Sequence, residues 1–154
     1  MPNNDLLVDL YQQKFKKEKL DVKIKRVLST DSDHVVEFIL KHFSPRWASE
    51  AKTGLYKPQS SCFIAVDQQK IVGFACYDAT AKGFFGPMGV DGDYRKKGIG
   101  ASLIIHCLEA MYFDGYAYAI IGGVSGETQP FYHHVCGSTP IENSRKLYSR
   151  MFDR

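Results

Sequence analysis

Two glycines carry the plainest chemical message in this chain. Gly98 and Gly100 stand in DYRKKGIGASLI (93–104), between the basic run Arg95-Lys96-Lys97 and an apolar run patterned like a helix. Glycine costs roughly 1 kcal/mol against alanine inside a helix, so its presence at a helix start implies a use. The first amides of a helix lack internal partners, and the helix dipole favours negative charge beside them. With no side chains in the way, a pyrophosphate can come close to those amides. The spacing is not that of a Walker loop, and Leu103 fills the last position that Gly-x-Gly-x-x-Gly would need.

Several elements must position this stretch. Leu6, Leu7, Leu10, Tyr11 and Phe15 recur at spacings of three and four, which predicts an extra N-terminal helix within residues 1–20. VKIKRVL (22–28) alternates as a strand does. HVVEFILKHF (34–43), with Asp31 or Asp33 as cap, and SPRWASEAKTGLY (44–56), with Ser44-Pro45 at its start, predict two helices. CFIAV, DQQK and IVGFACY (62–77) read as a hairpin. GFFGPMGV (83–90) is a third strand-like segment, and Pro87 and Gly89 should break its pairing. A helix over 101–113 ends at Asp114-Gly115, and YAYAIIGGV (116–124) is a buried strand. A short helix over 127–137 ends at Gly137, and STPI and KLYSRMF are expected as closing strands. The order predicts one α/β domain over 1–154 with a mixed sheet.

Bulk properties narrow the classes. With 154 residues, 44% hydrophobic and 24% charged, the chain reads as globular. No apolar run approaches the roughly 20 residues that span a bilayer. The N-terminus shows no basic start followed by an apolar core, so the expectation is a cytoplasmic protein without membrane association. Cys62, Cys76, Cys107 and Cys136 lie far apart without paired histidines, which argues against a metal site or a disulfide framework; Cys62 and Cys76 read as buried thiols. A net charge of +3 and the cluster KFKKEK (14–19) do not make a nucleic-acid binder.

In this context RKKGIGA (95–101) resembles the Arg/Gln-x-x-Gly-x-Gly/Ala signature of the GCN5-related N-acetyltransferases. GPMGV before it, a helix after it, YAYAIIGGV, and PFYHHVCG (130–137), which is similar to that family's Phe-Tyr-x-x-x-Gly stretch, strengthen the likeness. The resemblance runs from about Val22 to the C-terminus. It implies a mostly antiparallel sheet flanked by helices, with two central parallel strands that splay apart. It also implies acetyl-coenzyme A as co-substrate. Met88, Gly89 and Val90 would pair with the pantetheine arm, and amides of Arg95, Lys96, Lys97, Gly98, Ile99, Gly100 and Ala101 would hold the pyrophosphate. The resemblance assigns the acid to Tyr132, whose phenol stays protonated at neutral pH.

Many relatives carry a glutamate on the strand before the signature; GFFGPMGV has none. Glu50, Asp78, Glu127, His133 and His134 are substitutes that spacing does not separate, and no single base is expected. On the acceptor side, Trp47 with Glu50, and Asp78 with Phe84, combine aromatic faces with carboxylates. That combination suits a small cationic amine such as an amino sugar or a polyamine. The expected activity is N-acetylation of such an amine in a ternary complex. A coenzyme A-binding module without turnover is the alternative, and a homodimer is compatible with the sequence.

Overall fold

The computed structural model describes residues 3–144 and 146–153. Its strands are β1 (Asn4–Asp9), β2 (Lys23–Arg26), β3 (Cys62–Asp67), β4 (Lys70–Tyr77), β5 (Phe84–Val90), β6 (Tyr118–Val124) and β7 (Thr139–Pro140). Its helices are α1 (Ser32–His42), α2 (Pro45–Leu55), α3 (Ile99–Phe113) and α4 (Gln129–Cys136). Among the described residues the strands form one sheet in the order β2-β3-β4-β5-β6-β1-β7, and its parallel pair is β5 with β6. The mixed, mostly antiparallel architecture matches the sequence expectation.

Alternation along the strands divides two cores. On β3, Phe63 and Ala65 face α3, whereas Cys62 and Ile64 face α1 and α2. Under α3, Leu103, Ile104, Leu108 and Met111 are fully enclosed, each contributing roughly 1.5–3 kcal/mol by leaving water. The helix boundaries follow local chemistry. Ser44 accepts a hydrogen bond from the Trp47 amide and opens α2. Gly115 (φ 101°) closes α3, with the Tyr116 amide reaching back to the Met111 carbonyl and the Gly115 amide to that of Tyr112. Asp31 precedes α1 as expected, but its side chain makes no capping bond.

Three expectations are corrected. The N-terminal helix expected within residues 1–20 is instead strand β1, antiparallel to β6, followed by a 3-10 turn at Leu10–Gln12. Leu6 and Leu10 fit a helical spacing, yet Leu6, Val8 and Leu10 also fit a period of two, and all three are buried. The open edge of β6 decides between them, because its amides and carbonyls need partners. Residues 146–150, expected as a closing strand, form a 3-10 turn. The irregularity in β5 falls at Gly86-Pro87, between the pairs Ala75↔Met88 and Tyr77↔Phe85, and not at Gly89, which stays paired with Phe74. Gly89 is glycine for another reason: a Cβ there would lie 2.3 Å from the Phe43 ring.

Candidate active site

The signature segment leaves β5 through Asp91, whose side chain accepts from the Asp93 amide and starts a short turn over Gly92–Tyr94. The backbone then turns left-handed at Lys96 (φ 63°) and at Gly98 (φ 81°) before α3 begins. No side chain caps α3, and the Ser102 amide makes its bond back to the Gly98 carbonyl. The amides of Ile99, Gly100 and Ala101 therefore have no partner among the described residues. Successive amides after left-handed turns form a concave anion receptor. A Cβ at Gly100 would meet Phe131, Met88 and Val90 at 3.7–3.9 Å, which is ordinary contact, and this glycine lines the space between the neighbouring strand and α4.

That space exists because β5 and β6 part. They are in register at Phe84↔Ile120 and Phe85↔Ile121, and no later pair joins them although both strands continue. Pro87 has no N–H to offer, which fits the loss of pairing at this point. The Asp91 amide donates to the Val72 carbonyl at 2.8 Å and sets the phase of the ladder. Asp91 and Gly89 turn their backbone groups towards β4, so Met88 and Val90 turn theirs into the gap.

The gap opens into a cavity of about 690 Å³. Its walls include Met88 and Val90 from β5, Gly98 and the first residues of α3, Ile99, Gly100 and Ala101, and Gly122 to Ser125 on the opposite bank. Arg95 and Lys96 line it, whereas Lys97 lies with its ammonium 5.3 Å from the Tyr94 ring centre and outside the lining. Tyr132, buried on α4, meets Phe85 and Phe131 edge to face and reaches the cavity. Its hydroxyl has no hydrogen-bond partner among the described residues. Burial, with a smaller push from Cys136, raises its pKa to about 12, so it holds its proton throughout the neutral range.

The acceptor-side expectations divide. Trp47 and Glu50, one turn apart on α2, line the cavity, and the Thr80 hydroxyl donates to Glu50 Oε2 at 2.5 Å. Asp78 and Phe84 do not line it. Asp78 anchors its own loop, accepting from the Gly83 amide at 2.8 Å and the Tyr116 hydroxyl at 2.9 Å. Phe84 packs over Gly122, where a Cβ would lie 3.0 Å from its ring. Glu127, His133 and His134 are exposed and outside the lining. A neighbouring cavity of about 1220 Å³ shares Trp47, Glu50, Thr80 and Tyr148 with the first. Thr80, Tyr148 and the Gly122-Gly123 bank were not singled out from the sequence. The paired glycines at the end of β6 were the available signal, since Tyr148 occupies the space a Cβ at either would need.

Among the described residues no group of His, Cys, Asp and Glu is arranged to hold a metal, and no helix is long and apolar enough to cross a membrane.

The sequence profile described as acetyltransferase (GNAT) domain matches residues 58–137, more than half of the chain. Among solved structures, the chain is similar to the GCN5-related glucosamine N-acetyltransferase region of a fungal multi-domain GH3 β-N-acetylglucosaminidase. The TM-score is 0.74 at 15% identity, over 92% of this chain and 20% of that one. It is also similar to a GCN5-related N-acetyltransferase from Sphaerobacter thermophilus, with TM-score 0.69, 19% identity, and coverage of 92% and 50%. A third likeness is to a GNAT family N-acetyltransferase of Escherichia coli solved with CoA, with TM-score 0.52, 17% identity, and coverage of 66% and 62%. The chain thus spans between a fifth and just over six tenths of the length of these proteins. No curated protein matches the sequence.

Proposed function

Because the chain belongs to the acetyltransferase (GNAT) domain family, we propose that it is an acetyl-coenzyme A-dependent N-acetyltransferase acting on the primary amine of a small molecule, an amino sugar being the first candidate. The observation that carries this reading is the parting of β5 and β6 after two residue pairs, directly beside the uncapped start of α3. A folded sheet leaves backbone groups unpaired at its centre only where something else pairs with them.

The residues fit the co-substrate. Amides of Gly98 to Ala101, with Arg95 and Lys96 at the rim, form the diphosphate receptor. Lys97, stacked on Tyr94, contributes charge at longer range. Backbone groups of Met88 and Val90 line the gap for the pantetheine arm, and Gly89, turned towards β4, fixes their phase. When bound, acetyl-coenzyme A supplies an activated acetyl thioester.

The chain's own task is to hold an amine against that group, exclude water and manage one proton. Tyr132 offers a hydroxyl proton from an apolar wall. Its pKa of about 12 lies well above that of an ordinary thiol, about 8.5. Tyr132 therefore acts chiefly as a hydrogen-bond donor to the departing sulfur. The proton the sulfur finally keeps equals the one the amine gives up, so no net acid is consumed. We read the protein as cytoplasmic.

The test is thiol release from acetyl-coenzyme A with glucosamine, polyamines and amino acids as acceptors. Turnover with an amine, absent without it, is the expected result. Coenzyme A binding without turnover on any acceptor would favour a non-catalytic module, and no binding would overturn the reading altogether.

A further inference from the structure

Among the described residues Glu50 is the one carboxylate on the wall of the cavity at the strand gap, and three features show it held ready and uncommitted. First, its orientation is fixed. The Thr80 hydroxyl donates to Oε2 at 2.5 Å, a short bond of the kind an ionised carboxylate receives. Thr80 is itself held, because Asp78 ties its loop to Gly83 and Tyr116. Second, Oε1 has no hydrogen-bond partner among the described residues. Third, the helix-surface partner expected for Glu50 is Arg46, four residues earlier. Arg46 instead makes a two-pronged contact with Asp153 at 2.9 and 3.0 Å. Among the described residues no ion pair uses Glu50.

The cavity is also polarised. Arg95 and Lys96 stand at the start of α3, while Glu50 stands on α2, beside Trp47, in the wall shared with the second cavity. Trp47 is fixed by Phe43 and Phe74, with ring centres 5.2 and 6.2 Å away. A cation near Glu50 would therefore meet both a carboxylate and an aromatic surface.

We infer that Glu50 is the receptor for the acceptor's ammonium group, which makes the acceptor a cationic amine with no carboxylate on the adjacent carbon. This rests on the transferase reading above and narrows it. A carboxylate next to the amine would be brought against Glu50 and repelled. Amino sugars, polyamines and aryl-ethylamines satisfy the site, and free α-amino acids do not. Glu50 binds and orients the ammonium; one proton passes to water to free the nitrogen lone pair, and the second, lost from nitrogen after attack, ends on the departing sulfur.

The experiment compares wild type, Glu50→Gln, Thr80→Val and Thr80→Ser with glucosamine, spermidine, tyramine and tyrosine, reading kcat and KM for acceptor and for acetyl-coenzyme A separately. Glutamine keeps the Thr80 bond and removes only the charge. Glu50→Gln is expected to raise the acceptor KM roughly 10- to 100-fold, the size of a lost charge-assisted hydrogen bond, with the acetyl-coenzyme A KM unchanged. It should also narrow the preference for tyramine over tyrosine. Thr80→Val should give a smaller loss that Thr80→Ser restores. An unchanged acceptor KM, or an equal rise in both KM values, overturns the inference while leaving the transferase reading standing.

If no acceptor turns over in wild type, the transferase reading fails first. Calorimetry of spermidine binding to the coenzyme A complex then decides the inference. Binding that Glu50→Gln abolishes supports it, and binding that is absent or unchanged overturns it.

Discussion

Replacing Gly100 by glutamate places a negative charge where we propose that the diphosphate binds. A Cβ at this position meets nothing closer than 3.7 Å, which is ordinary contact, so the fold accepts a side chain. The position is helical, and loss of glycine there favours the helix slightly. A carboxylate carried into the cleft would stand ~5 Å from a group bearing about two charges. At an effective dielectric of ~40–80, suited to a half-open cleft, each charge contributes ~0.8–1.7 kcal/mol of repulsion. The sum, about 2–3 kcal/mol, weakens coenzyme A binding ~30- to 150-fold. Gly100→Gln, of equal size and no charge, should lose much less, and the difference between the two should shrink as salt rises. The assay is calorimetric titration with coenzyme A, with melting temperatures of the ligand-free proteins as the control for folding. A Gly100→Glu protein with wild-type melting temperature and affinity within threefold of wild type would refute the placement of the diphosphate.

Other perturbations reach different parts of the structure. Tyr132→Phe should lower kcat about 100-fold while leaving coenzyme A affinity within a fewfold, as steady-state kinetics alongside calorimetry would read. The same residue predicts a pH dependence. Its folded pKa of about 12 lies above the ordinary phenol value of 10.0, so the native state keeps the proton longer than the unfolded chain. The resulting contribution, about 2–3 kcal/mol, is complete below pH 10 and is lost as pH rises towards 12. Denaturant titrations between pH 9 and 12 should show a shallower decline for Tyr132→Phe than for wild type; parallel curves would contradict the burial argument. Gly89→Ala forces a Cβ to within 2.3 Å of Phe43, whose ring is wedged among Phe38, Trp47 and Phe74. It should destabilise the protein by about 1–3 kcal/mol, read as a shifted urea midpoint with unchanged slope.

What could be read from the sequence was what the chain decides locally. Gly98 and Gly100 marked the start of α3 because few other reasons exist for glycines between a basic run and an apolar helix. Ser44-Pro45 and Gly137 marked helix ends through their own backbone preferences. The break at Pro87 was legible because proline cannot donate to a ladder, although the bulge sits at Gly86-Pro87 and Gly89 serves Phe43 instead. Interactions between distant residues were not legible. The first strand looked helical because its pairing partner, β6, lies more than a hundred residues away. Asp78 and Glu50 looked equivalent as acceptor carboxylates until Tyr116 and Gly83 claimed the first and Thr80 oriented the second. Lys97 looked like its two neighbours until the Tyr94 ring engaged it.

The most direct measurement is an amide-resolved NMR titration of the protein with coenzyme A. The proposed binding mode predicts saturable shifts concentrated at the amides of Gly98 to Ala101, for the diphosphate, and at Met88 and Val90, for the arm between β5 and β6, while Gly89 and the β3–β4 hairpin move little. Saturable binding whose shifts fall elsewhere, with those six amides still, would contradict it.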